Sequence, residues 1–245
     1  MIHYHGGPIT PETCAVNAWK SRHAFISFAH PAQIKLAASI TQSFALDNGA
    51  FSLWKARKAV DWEGYYLWVN SYLRHPRFDF AVVPDVIGGS EKENDELLAQ
   101  WRFPKHLSAA VWHSNESVDR LVRLAETWPR VAIGSSGEYD VKKSISFVAY
   151  MRKVLPYISD SEGFPVCQLH GLRMLNPKVF NHIPLKSADS TNIARNIGID
   201  SHWKGGYQVS TKEARVNVLL DRIESSVSAE KTTPLKETLN QDLFS

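Results

Sequence analysis

The sequence predicts an α/β fold, a single-domain (β/α)8 TIM-type barrel, and three observations predict it. Short runs that are apolar throughout alternate with helix-length segments of 3.6-residue periodicity, as a parallel sheet covered on both faces requires. There are eight such runs in a chain of 245 residues, the usual size of an eight-unit barrel. No internal repeat and no Gly/Pro-rich linker divides the chain.

The expected strands, in order, are 2–5, ending at Gly6-Gly7-Pro8, and 24–29, ending at His30-Pro31. The third and fourth are 43–47, before Asn48-Gly49, and 78–83, before Pro84-Asp85. The remaining four are 107–112 before His113, 130–133 before Gly134, 164–169 before His170-Gly171, and 183–188 before Asp189. Helical spacing of apolar residues marks 61–75, 91–102, 117–128, 141–155 and 211–225. Residues 6–23 are only weakly helical, so an open doubly wound sheet is the alternative to closure. The barrel is expected over 1–225, with 226–245, rich in Ser, Thr, Lys and Glu, as a polar tail or terminal helix.

Composition narrows the function classes. With 44% apolar and 22% charged residues the chain is an ordinary soluble domain with a sizeable core. No apolar run approaches a membrane span and the first residues lack a signal-peptide layout, so the cytoplasm is the expected setting. Cys14 and Cys167 are too few for a disulfide framework or a multi-cysteine zinc site, and Cys167 is expected packed inside a strand. A formal charge of +3 permits nucleic-acid binding without requiring it.

In a barrel the chemistry collects where strands end at the C-terminal face. The residues there are His3, His5, His30, Asp47, Asp85, His113, the Gly134-Ser135-Ser136-Gly137 turn, His170 and Asp189. Taken alone, Asp189 reads equally as an N-cap, set among Ser187, Ser190, Thr191 and Asn192 with Arg195 a turn beyond. Three carboxylates, several imidazoles and a Gly-rich turn around one mouth read instead as a working site. Phe51, Trp54, Trp112 and Tyr139 lie nearby, where wall packing is the expected role for each.

The ordered set Asp47-Asn-Gly-Ala-Phe-Ser52, Pro84-Asp85-Val86, Val131-Ala-Ile-Gly-Ser-Ser-Gly-Glu138 and Ser187-Ala-Asp-Ser-Thr191 resembles the tRNA-guanine transglycosylase superfamily. The nearer likeness is to its DNA-directed branch, the 7-deazaguanine DNA transglycosylases of phages and bacterial modification islands. The likeness runs from about residue 43 to residue 196. It implies exchange of guanine in DNA for a 7-deazaguanine of the preQ0 or preQ1 type, without a cofactor or metal. Asp189 would be the nucleophile that captures the sugar and Asp47 the second catalytic aspartate. Asp85, with Asn48, Gly49, the loop from Gly134 through Glu138, His113 and His170, would line the base pocket, His170 in a supporting role. The tRNA enzymes pair through barrel surfaces, so a homodimer is a candidate assembly.

The residues give these roles independent physical sense. Breaking an N-glycosidic bond develops oxocarbenium character that a close carboxylate stabilises and captures. A second carboxyl in a different environment serves proton transfer to and from the bases. An Asp accepts from both N–H donors on a purine's Watson–Crick edge, and a Gly-rich loop brings backbone close to a flat ring. The chain also departs from the pattern. The tRNA enzymes' Cys-x-Cys-x-x-Cys zinc run is missing from the sequence, which favours DNA over tRNA, and Trp112-His113-Ser114-Asn115 replaces a Gln-containing loop. Basic residues cluster early, at Lys20, Arg22, Lys35, Lys55, Arg57, Lys58, Arg74 and Arg77, and late, at Lys186, Arg195, Lys204 and Lys212. Lys55, Arg57, Lys58 and Arg195 are the candidates for phosphate contact, against the plainer reading of a solvated face.

A competitor from another class rests on His3 and His5. Two residues apart, both imidazoles share one side of a strand. Together with His170 and Asp189 they resemble the ligands of a metal-dependent amidohydrolase-type barrel, which would hydrolyse an amide or ester. A third reading is an inert nucleic-acid-binding subunit.

Overall fold

Alternating strands and helices close into a barrel in this computed structural model, which describes residues 1–135, 144–199 and 209–232. The strands are β1 Ile2–Gly6, β2 His23–Ser27, β3 Ser43–Asp47, β4 Phe78–Val82, β5 Ser108–His113, β6 Arg130–Gly134, β7 Gln168–Gly171 and β8 Ser187–Ser190. All are parallel in the order β1 to β8, and β8 pairs back onto β1, with Tyr4 opposite Asp189. An open doubly wound sheet is therefore excluded.

Outside the sheet run α1 Glu12–Trp19, α2 Ile34–Ile40, α3 Ala50–Lys55, α4 Trp62–Tyr72, α5 Glu91–Ala99 and α6 Val118–Thr127. They are followed by α7 Ser144–Val154, α8 Pro177–Phe180, α9 Asn192–Asn196 and α10 Lys212–Glu224. Helix starts fall where polar side chains cap them. Asp61 accepts from Gly64 N–H, Ser117 from Arg120 N–H and Thr211 from Ala214 N–H, while Ser90 and Glu93 form a reciprocal capping box. Among the described residues no helix is long and apolar enough to cross a membrane.

Period-two alternation divides the strands between wall and lumen, except at a register shift in β4 that turns both Asp79 and Phe80 inward. Outward residues such as Phe44, Leu46, Ala110, Trp112 and Ile133 pack under the helices. Inward, the aromatic rings of Tyr4, Phe25 and Phe80 from β1, β2 and β4 lie against the small Ala45, Ala109 and Ala132 of β3, β5 and β6. Large side chains facing small ones fill the lumen without a pore.

Two strands lie further along the chain than their apolar runs suggest. Pro165 and Pro184 have no N–H for a ladder, and Asp160 folds residues 160–164 into a turn by accepting from the N–H groups of Glu162 and Phe164. Strand β7 therefore starts at Gln168 and β8 at Ser187. This shift puts His170 and Asp189 within strands. It also leaves Cys167 before β7, half-buried, its thiol pushed up to about 12 by burial.

The first part of the expected tail is docked under the barrel. Ser228 Oγ donates to the Leu185 carbonyl (2.7 Å), Ala229 N–H to Phe180 (3.3 Å) and Thr232 N–H to Gly163 (2.8 Å). Residues 233–245 lie outside the described residues.

Candidate active site

The mouth of the barrel is built from the last inward residue of several strands. Alternation that turns Phe25, Ala45, Val111 and Ala132 into the lumen also turns in Ser27, Asp47, His113 and Gly134 one step higher. On β7 and β8 the inward residues are His170 and then Ser187 and Asp189.

Asp189 is 4% exposed, and its Oδ1 accepts from Arg173 N–H at 2.8 Å. Its neighbour His170 is fully buried, with Nδ1 2.8 Å from Ser187 Oγ and Nε2 3.4 Å from Asp189 Oδ1. The His170 imidazole stacks on Phe25 (5.3 Å, 28°) and meets Phe80 edge-on. It is thus the floor on which Asp189 rests.

Asp47 ends β3, partly open to solvent at the mouth but surrounded by protein. Burial, together with the charges of Asp189 and Asp85, pushes its carboxyl up to about 7, against the opposing pull of the Ser27 hydroxyl and Gly49 N–H. Gly49 is needed as glycine: its φ is +79° and an added Cβ would come within 2.8 Å of Ala29 N. A carboxyl poised near neutrality beside another carboxylate is suited to carrying a proton.

Asp85 sits beyond β4 with both oxygens engaged. Oδ1 accepts from Asn48 Nδ2 (2.6 Å) and Oδ2 from His113 Nε2 (2.8 Å). Asn48 also donates to the Val83 carbonyl and accepts from Ala50 N–H, so its amide clasps the β3 loop to the β4 loop. Burial alone would lower the pKa of His113. The bond to Asp85 and the charges of Asp85 and Glu116 outweigh that, and the imidazole is raised above its ordinary value. Gly134 is small because His113 lies over it: an added Cβ would be 2.7 Å from Nδ1. Behind His113, buried Glu116 accepts from His113 N–H, Asn94 and Arg120.

Of the expected site residues, the structure thus brings the catalytic candidates Asp47 and Asp189 together with Asn48, Gly49, Asp85, His113, Gly134 and His170. Ser135 ends the described segment, and Ser136, Gly137, Glu138 and Tyr139 lie outside it. Trp112 faces the wall, stacked on Tyr150 at 6.5 Å. Two contributors were not anticipated: Ser27, because β2 ends there and not at Ala29, and Arg173, whose backbone holds Asp189. His30 lies beyond the strand and is exposed.

His3 and His5 overturn the metal-hydrolase ligand set. They share one side of β1, as their spacing requires, but Tyr4 takes the lumen and both imidazoles face outward. His3 Nε2 donates to the Ser226 carbonyl (3.1 Å) and its ring packs on Phe180. His5 Nε2 donates to Glu224 Oε1 (2.9 Å) on α10. Neither shares a face with His170 or Asp189.

The basic residues divide between the two ends of the barrel. Lys55, Arg57 and Lys58 are exposed at the end of α3, on the mouth side, and Arg195 is exposed on α9. Lys20, Arg22, Arg74, Arg77 and Lys186 lie at the opposite end, where strands begin. There Arg22 pairs with Glu224 and Arg77 donates to the carbonyls of Ala38 and Ser39. Lys204 falls outside the described residues.

Comparison of the chain with family models and with curated proteins finds no match.

Proposed function

We propose that the protein exchanges guanine in DNA for a 7-deazaguanine by a covalent double displacement on Asp189. The observation that carries this reading is a pair of carboxyl groups in one mouth with unlike surroundings. Asp189 is buried and fixed by a backbone N–H, and Asp47 is raised to about 7. Two such groups divide the labour of N-glycosidic exchange.

Asp189 attacks the sugar C1′ as the bond to guanine breaks, forming an aspartyl-sugar ester. Protonated Asp47 gives its proton to the departing base. The incoming 7-deazaguanine returns a proton to Asp47 and attacks C1′, which releases the Asp189 carboxylate and restores both groups. Arg173 N–H fixes one Asp189 oxygen and so aims the other. His113, paired with Asp85, presents a polar wall to the base edge, and Asp85 retains lone pairs for purine N–H donors.

The test is release of labelled guanine from DNA with added unlabelled 7-deazaguanines, for wild-type protein and Asp189→Asn, with and without chelator. Chelator-resistant exchange that the substitution abolishes, with a protein-DNA adduct surviving denaturation in the wild type, is the expected result. Exchange undiminished in Asp189→Asn would overturn the proposal, as would its absence on DNA with every base supplied.

A further inference from the structure

We propose that Arg173, Phe51 and Trp54 form a stacking track for the nucleotide beside the reacting one, flanked by the basic end of α3. The substrate is then a DNA strand whose bases are unstacked at the target, single-stranded or locally opened. This rests on the nucleic-acid reading above and adds to it a substrate form and residues that contact the strand.

The track starts at the nucleophile. Arg173 donates its backbone N–H to Asp189, and its guanidinium lies 3.8 Å from the centroid of the Phe51 ring. Phe51 and Trp54, three residues apart on α3, share a helix face with ring centroids 5.8 Å apart at 39°. Trp54 is 56% exposed. Trp19, Trp112 and Trp128 are buried, and Trp62, Trp68 and Trp101 are partly covered. The one tryptophan left open among those described is therefore the one in line with the mouth. Exposed Lys55, Arg57 and Lys58 follow it directly.

Backbone conformation supplies an independent sign. Of the three described non-glycine residues with φ in the left-handed region where glycine is favoured, Ser21 lies before β2 at the far end, and the other two, Arg57 at +55° and Arg173 at +60°, are at the mouth. Arg57 closes α3, with its N–H on the Trp54 carbonyl and Lys58 N–H on that of Leu53, at a place where helices ordinarily use glycine. Arginine occupies both positions despite that preference, and both lie in loops at the mouth. Conformational cost of this kind clusters at functional sites and is consistent with arginines kept for their side chains. A guanidinium stacked on a ring, an open indole and a basic turn are the elements with which proteins bind single strands, rings taking bases and cations taking phosphates.

The test is binding of an end-labelled single-stranded DNA with one guanine, read by fluorescence anisotropy, and of the same strand with an abasic site on either side of the guanine. We expect Trp54→Ala to weaken binding of the intact strand about tenfold, from the usual worth of one stacked base, and Trp54→Phe to recover most of it. An abasic site on one side should cost the wild type a similar factor and cost Trp54→Ala little more. Arg57→Gly keeps the backbone conformation and should reduce the slope of log affinity against log salt by about one. Wild-type affinity in Trp54→Ala overturns the track, and so does an equal abasic penalty in both proteins or absence of binding by the wild type. Guanine exchange measured in parallel separates the two claims. Binding with these signatures but no exchange leaves the track and removes the transglycosylase. Exchange that Trp54→Ala leaves unchanged at subsaturating DNA removes the track alone.

Discussion

At the floor of the barrel Asp79 meets the Arg130 guanidinium at 3.0 Å and accepts a hydrogen bond from the Tyr4 hydroxyl, with Arg130 also lying 4.2 Å from the Phe80 ring centroid. At the mouth Asp47, Asp85 and Asp189 are gathered with an amide, hydroxyls, imidazoles and backbone N–H groups. The same side chain does two jobs. Opposite charges at the floor close the N-terminal end and serve stability. Burial, with like charges beside it, raises Asp47 at the mouth and opposes stability, a cost that fits the chemistry proposed for these groups.

Substitutions test that contrast from both ends. The largest effect expected is on activity: Asp189→Asn should lower the rate of base exchange at least 10³-fold, about 4 kcal/mol, and leave thermal stability unchanged or higher. Melting and exchange measured on one preparation check it. At the floor the pattern inverts: Asp79→Ala should cost about 2–3 kcal/mol of stability, because it strands a partly buried guanidinium. Urea titration reads that loss, and retained stability would erase the contrast.

Asp47 joins the two measures. Its folded pKa of about 7 lies above the ordinary 3.8, so its contribution to stability is present below pH 4, falls steadily as pH rises from 4 to 7 and is lost above 7. Asp47→Asn should therefore be more stable than wild type at pH 8 by about 2 kcal/mol, allowing for solvent at the mouth, with the gap shrinking steadily as pH falls and nearly gone below pH 4. In the wild type, exchange should change with an apparent pKa near 7 that the substitution removes. Glu224, outside the lumen, gives the smallest effect and the opposite sign. Burial opposes its charge, but His5 and Arg22 hold it down at about 2. Its contribution is present above pH 4.5 and lost as pH falls through 2. Glu224→Gln should cost about 1 kcal/mol at pH 7, with the gap closing in acid.

Much of this was legible in the sequence. Strands β3 and β4 and the helix caps at Asp61, Ser117 and Thr211 stand where local chemistry puts them, because apolar runs and capping side chains act over a few residues. Asp47, Asp85, His113 and Asp189 were likewise visible as strand-end groups. The starts of β7 and β8 were less so, since Pro165 and Pro184 break ladders that composition alone suggests. Arg173 was hidden because its part in holding Asp189 is played by backbone, which carries no residue signature.

The sequence by itself determined that strands alternate with helices and that each strand has two faces. Which face turns inward was decided only by closure of the barrel. A parallel strand is apolar on both sides, so His3-Tyr4-His5 reads equally well either way. Fitting large against small residues in the lumen selects Tyr4 for the inside. That choice sends the two histidines to α10 and its flank, and the same packing gathers Asp47, Asp85 and Asp189 from strands far apart in sequence.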